Sequence, residues 1–130
     1  MGAGMHTFRC LLLLCTALPL FSQNTVPTNP AQVLFDMGTK DEAAGRLERA
    51  KLILKTLAST YDTDPLAAKA REELGAIYMF MEAQAEVGSG KTQAAYDSFR
   101  TLMRIYRDSP LAKLADETSK TLGIPPDPRR

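Results

Sequence analysis

The stretch Glu86-Val-Gly-Ser-Gly-Lys-Thr92 ends in the Gly-Lys-Thr that closes a phosphate-binding loop, and it is the place in this 130-residue chain where residue order most suggests nucleotide chemistry. Such a loop, G-x-x-x-x-G-K-[ST], cradles phosphate on backbone amides between a strand and a helix. Here Ala85 stands where the first glycine is required, and the residues before it are spaced as an amphipathic helix. No apolar run ending in Asp follows. The glycines are expected to turn the chain between two helices, and a nucleotide site at this stretch is the remote alternative.

Other chemistry-bearing side chains are few. His6, Cys10 and Cys15 all lie in or beside the apolar run Cys10–Phe21, which follows Arg9 and is broken by Pro19 ahead of Ser22. That run is little more than half the ~20 residues needed to span a bilayer and fits the apolar region of a secretory signal. Residues 1–22 are therefore expected to be a signal peptide with cleavage after Ser22, or alternatively after Gln23, and Met5 is an alternative start. A lipid anchor would need a small residue directly before the modified Cys, and Leu14 and Arg9 do not supply it. With the leader removed, no thiol or imidazole remains for nucleophilic, acid–base or zinc chemistry. Asp62 and Asp64 fall in a turn where capping accounts for them. The reading is a non-enzyme with no cofactor and no metal.

Charge points the same way. Lys and Arg number 16 against 15 Asp and Glu, and without Arg9 the two signs balance. Balanced, interspersed charge gives no electrostatic reason to expect nucleic acid or anionic lipid.

Residues 23–29, polar and Pro-bearing, read as a linker. Beyond them apolar residues recur at three- and four-residue steps through Leu47–Tyr61, Leu66–Ala85, Ala95–Tyr106 and Leu111–Leu122, with no alternating stretch. An all-helical domain over 30–123 is expected, followed by a tail at 124–130. Asn29-Pro30, Asp64-Pro65 and Ser109-Pro110 each place a capping side chain before a proline at the first helical position. Gly45, the Gly88/Gly90 pair and Gly123 are helix stops. Gly38 has two readings, a restart of the first helix with Thr39 and Glu42 as a capping box, or a glycine inside a continuous helix. Arg71, Glu72 and Glu73 read as a solvated face.

The segment from Gly45 aligns without a gap on the segment from Gly90, with ten of twenty-eight positions identical. The unit is a helix–turn–helix repeat. Ala95-x₃-Phe99 followed by Pro110 matches part of the tetratricopeptide (TPR) signature, and Ala50-x₃-Leu54 followed by Pro65 is the second copy. Ala50, Leu54, Tyr61 and Pro65, with Ala95, Phe99, Tyr106 and Pro110, are the expected repeat-packing residues. The fold expected is a TPR-like right-handed solenoid of antiparallel helices, about two hairpins plus a C-terminal capping helix.

The segment LFDMGTKDEAAGRLERAKLILKTLASTYDTDPLAAKA, from Leu34, resembles the first repeat of the BamD-like (YfiO/ComL) outer-membrane-assembly proteins. The shared features are a Leu-Phe opening, a Gly-Arg turn, an Ala-x₃-Leu helix ending in Tyr, and a Pro-containing turn. The likeness runs roughly from Leu34 to Ala115, and similar repeats recur in exported TPR proteins such as the periplasmic cell-division coordinator family. BamD-like proteins are lipid-anchored, carry more repeats than this chain and hold partners of the β-barrel assembly machinery. The resemblance implies a scaffold at the periplasm or outer-membrane periphery that binds an envelope protein or peptide. Its mature chain would have no membrane span. A self-associating structural protein, or a cell-division-coordinator-like one, is the alternative. Tyr78, Met79 and Phe80, within the apolar run Ile77–Met81, are the expected partner-binding residues, because one helix cannot bury every side of such a run.

Overall fold

The structure, a computed structural model, describes residues 29–124. The expected signal peptide at 1–22, the linker up to residue 28 and the tail from 125 onward lie outside the described residues. Five helices follow one another: α1 (Pro30–Ala43), α2 (Leu47–Thr60), α3 (Pro65–Gly88), α4 (Thr92–Ile105) and α5 (Pro110–Lys120). Among the described residues there is no strand.

Three helices start alike. Asn29, Asp64 and Ser109 each accept a hydrogen bond from the amide two residues on, at 3.1, 2.9 and 3.2 Å, with proline at the first helical position. The cap fills an amide left open by the helix, and the proline has none to leave open.

The other two helices start straight out of the preceding helix stop. Gly45 and Gly90 take φ of 77° and 75°, the left-handed region that glycine occupies without a Cβ penalty. Gly45 donates to Glu42 O and Arg46 to Asp41 O, and Gly90 and Lys91 donate to Val87 O and Glu86 O in the same pattern. This is the paired bonding of the Schellman motif, which satisfies the last carbonyls of α1 and α3.

The 45-residue repeat is thus also a repeat of backbone shape. Arg46 and Lys91 have φ, ψ of −84°, 67° and −87°, 62°. Tyr61 and Tyr106 have −116°, 46° and −111°, 47°, while Asp64 and Ser109 have −73°, 140° and −74°, 144°. Burial repeats too. Ala50 and Ala95, Leu54 and Phe99, Leu57 and Leu102, and Ala70 and Ala115 are pairwise fully buried.

Each helix packs on the next in sequence. In addition α1 touches α3 and α5, and α3 touches α5, whereas α2 and α4 do not meet. The odd-numbered helices therefore form an inner layer, with α2 and α4 outside it. The long α3 is central and meets all four other helices.

Gly38 does not restart a helix. α1 runs through it without a break, and Gly38 is buried against Leu54 of α2. Thr39 donates its hydroxyl to the carbonyls of Phe35 and Asp36 instead of capping, and Glu42 turns into the protein. A local capping pattern is overridden here because a glycine lets α2 approach α1 closely.

Candidate functional site

Four places bear on function: the Gly88–Lys91 turn, the Ile77–Met81 face, a buried acidic cluster, and a cleft between α4 and α5. At the turn, the amides of Ser89, Gly90 and Lys91 all donate to carbonyls of α3: Ser89 to Ala85 at 3.0 Å, Gly90 to Val87 at 3.0 Å, and Lys91 to Glu86 at 2.9 Å. A phosphate cradle needs such amides free and aimed at the anion. The turn also follows the C-terminal end of a helix, where the backbone dipole disfavours an anion. Its bonding is that of a helix stop.

The Ile77–Met81 run divides by depth. Ile77 is fully buried and Phe80 is 1% exposed, with its ring edge-on to Phe99 of α4 at 5.1 Å between centroids. Met79 and Met81 are half-buried against the core. Tyr78 is 47% exposed, with the Lys55 ammonium 5.7 Å from its ring centre. The expectation that Phe80 reaches the surface is corrected. α3 is flanked by every other helix, so the face carrying Ala76, Ile77, Phe80 and Ala83 is covered. Tyr78 alone of the three expected partner-binding residues is well exposed, and Met79 is partly so.

The expected repeat-packing residues are divided between core and turns. Ala50, Leu54, Ala95 and Phe99 are fully buried, whereas Tyr61 and Tyr106 are half-buried where α2 and α4 end. Pro65 and Pro110 open α3 and α5. Tyr106 reaches back over α3: a Cβ added at Gly75 would stand 2.5 Å from its phenolic oxygen.

The acidic cluster was not anticipated. Glu42, on the last turn of α1, is 0% exposed, and its Oε1 has no hydrogen-bond partner. The Ser109 hydroxyl, which caps α5, lies 2.6 Å from Glu73 Oε2 and 3.4 Å from Glu42 Oε2. Burial, above all, and then the Glu73 carboxyl beside it push the Glu42 pKa up to about 9, against a smaller lowering effect of Ser109. The charge run Arg71–Glu73 is accordingly solvated only in part: Arg71 and Glu72 are exposed, while Glu73 is half-buried against Ser109. The neighbouring Asp41 is equally buried but is held by cations, Arg46 at 2.9 Å and Arg49 at 3.1 Å. One signal in the sequence bore on this, since Glu42 shares a helical face with Ala31 and Gly38, both buried.

A cleft of about 780 Å³ between α4 and α5 is lined by Asp97, Arg100, Thr101, Met103, Arg104 and Asp116. Its charges are mixed, and the Arg100 guanidinium turns back over Tyr96 of its own helix. Among the described residues no three His, Cys, Asp or Glu side chains are grouped to hold a metal ion, and no helix is long and apolar enough to cross a membrane.

Compared with known proteins, the chain matches no family model, no curated protein and no solved structure.

Proposed function

We propose that the chain is a short TPR-like right-handed solenoid, two hairpins and a capping helix, acting as a non-catalytic scaffold for a protein or peptide of the cell envelope. The observation that carries this reading is the 45-residue repeat, which recurs in sequence, in turn geometry and in burial. Stacked helical hairpins of this kind present extended side-chain surfaces rather than enclosed reaction sites. A place beside outer-membrane protein assembly rests on the resemblance of Leu34–Ala115 to BamD-like repeats.

The recognition surface we assign is centred on Tyr78. An exposed tyrosine offers a large amphipathic contact area at low entropic cost, a common property of binding hot spots. Leu52 of α2, 66% exposed, adds an apolar side chain in the outer layer.

A photo-crosslinking amino acid in place of Tyr78, activated in intact cells, tests this. The expected product is an adduct with a second envelope protein. Adducts of the chain with itself alone would move the reading to the self-associating alternative, and the absence of any adduct at Tyr78 would remove it as the recognition surface.

A further inference from the structure

We propose that one proton, held on Glu42 beside Glu73 and the Ser109 hydroxyl, latches α1 onto α3 and α5, and that its loss to water parts α1 from α5. The latch lies at the inner contact of the fold and does not depend on the partner.

Hydrogen-bond accounting requires the proton. Ser109 accepts from the Leu111 amide at 3.2 Å and has a single hydrogen to donate, which the 2.6 Å contact assigns to Glu73 Oε2. Nothing is left on that hydroxyl to donate to Glu42. An ionised Glu42 would then be an acceptor-only group, buried and unmatched, beside a second carboxylate. Such a pair cannot both ionise without a large penalty, and a protonated Glu42 supplies the missing donor.

The charged groups facing the junction do not relieve it. From α3 comes Glu73, with Glu72 beside it at the surface. The α4–α5 turn brings Arg107 and Asp108 to the cavity next to Glu73 and Ser109. From α5, Lys113 and Glu117 line a separate cavity with Ala43. On the side of α2, Arg46 and Arg49 are engaged by Asp41. Tyr106, from α4, directs its hydroxyl at Gly75. The N-terminus of α5 carries only about half a positive charge, short of what two adjacent carboxylates would need.

The repeat does not demand an acid here. The residue 45 positions beyond Glu42 is Val87, at the same place in the second helix stop. The carboxyl therefore belongs to the α1–α3–α5 junction in particular. With Glu42 held near a pKa of about 9, the latch is closed at neutral pH and opens in mild alkali.

Nuclear magnetic resonance on the full chain tests the latch without any partner. The Glu42 carboxyl carbon is expected to titrate near pH 9, and the Leu111 amide to move with the same midpoint. Contacts between the α-protons of Gly45, at the end of α1, and the Leu114 Cδ2 methyl of α5, which lies 3.9 Å from where a Gly45 Cβ would stand, should fade in step. Glu42→Gln should keep those contacts to about pH 10 with no titration of the Leu111 amide. Glu73→Gln, which removes the like charge, should lower the Glu42 midpoint by about one unit or more. Titration of Glu42 in the ordinary range near 4.5 would overturn the proposal, as would Gly45–Leu114 contacts unchanged through alkaline pH. A shift of the same signals by calcium or magnesium at neutral pH would also overturn it, by placing a cation where the proton is assigned.

Discussion

Leu54 of α2 fits into the notch that Gly38 leaves in α1: a Cβ at residue 38 would stand 2.7 Å from Leu54 Cδ2 and 2.8 Å from Cγ. Leu54 is fully buried and packed within the core, so it can yield only by displacing its neighbours. Inside a helix, Gly→Ala ordinarily stabilises by up to ~1 kcal/mol. Here Gly38→Ala should instead destabilise by about 1–3 kcal/mol through overpacking. With Leu54→Ala already in place, the same change should become neutral or stabilising. Denaturant titration of the four proteins in this cycle checks it, and a stabilising Gly38→Ala in the native background would contradict the packing described.

Phe80 and Phe99 should behave as a core pair. Each truncation, Phe80→Ala and Phe99→Ala, should cost about 3–5 kcal/mol. Their edge-to-face contact should give a coupling of about 0.5–1.5 kcal/mol in a double-mutant cycle. Tyr78→Ser should change stability far less, because Tyr78 is largely exposed. Thermal melts rank the three, and a Tyr78→Ser loss as large as that of Phe80→Ala would contradict the assignment of depth.

At Gly90 the effect is one of backbone alone. Nothing lies within 4 Å of a Cβ built there, yet φ is +75°. Gly90→Ala should therefore cost about 1–2 kcal/mol, the strain of an L-residue in the left-handed region. Lys91→Ala in the same turn should be nearly silent. Mg-ATP should raise the melting midpoint of neither the native chain nor the Lys91 variant, and a rise of several degrees lost in Lys91→Ala would restore the nucleotide reading.

Acidity should stabilise the fold through Glu42. Its pKa is raised from 4.5 unfolded to about 9 folded, so between those values the folded chain holds a proton that the unfolded chain has released. Stability from this group is fully present below about pH 4.5 and is lost as pH rises through about 9. In Glu42→Gln this slope should vanish. Melting midpoints of both proteins, taken across that window, decide it; parallel profiles would assign the slope to another group.

The caps at Asn29, Asp64 and Ser109 and the stops at Gly45 and Gly90 were legible because each is settled by residues a few positions apart. The repeat was legible because its two copies share the same turn chemistry. Gly38 and Phe80 were not, since their roles depend on which helix lies across from them. Gly38 carries the local pattern of a capping box, and only the approach of Leu54 shows it to be a packing glycine. The apolar run at Ile77–Met81 is too broad for one neighbouring helix to cover, and its burial depends on α3 touching all four other helices, which no local spacing encodes. Glu42, Glu73 and Ser109 come from three separate helices, and no spacing along the chain announces their meeting.

The Glu42–Ser109 contact joins residues 67 positions apart, whereas most of the fold is built from helices adjacent in the chain. Local pairings form early in folding because closing them sacrifices little chain entropy, and contacts between distant residues wait for them. The hairpins can therefore assemble one after another, leaving the junction of α1 with α5 as the final step. By the same reasoning this seam should open more readily than the centre of the fold, and amide protons at the start of α5 should exchange with solvent sooner than those in the middle of α3.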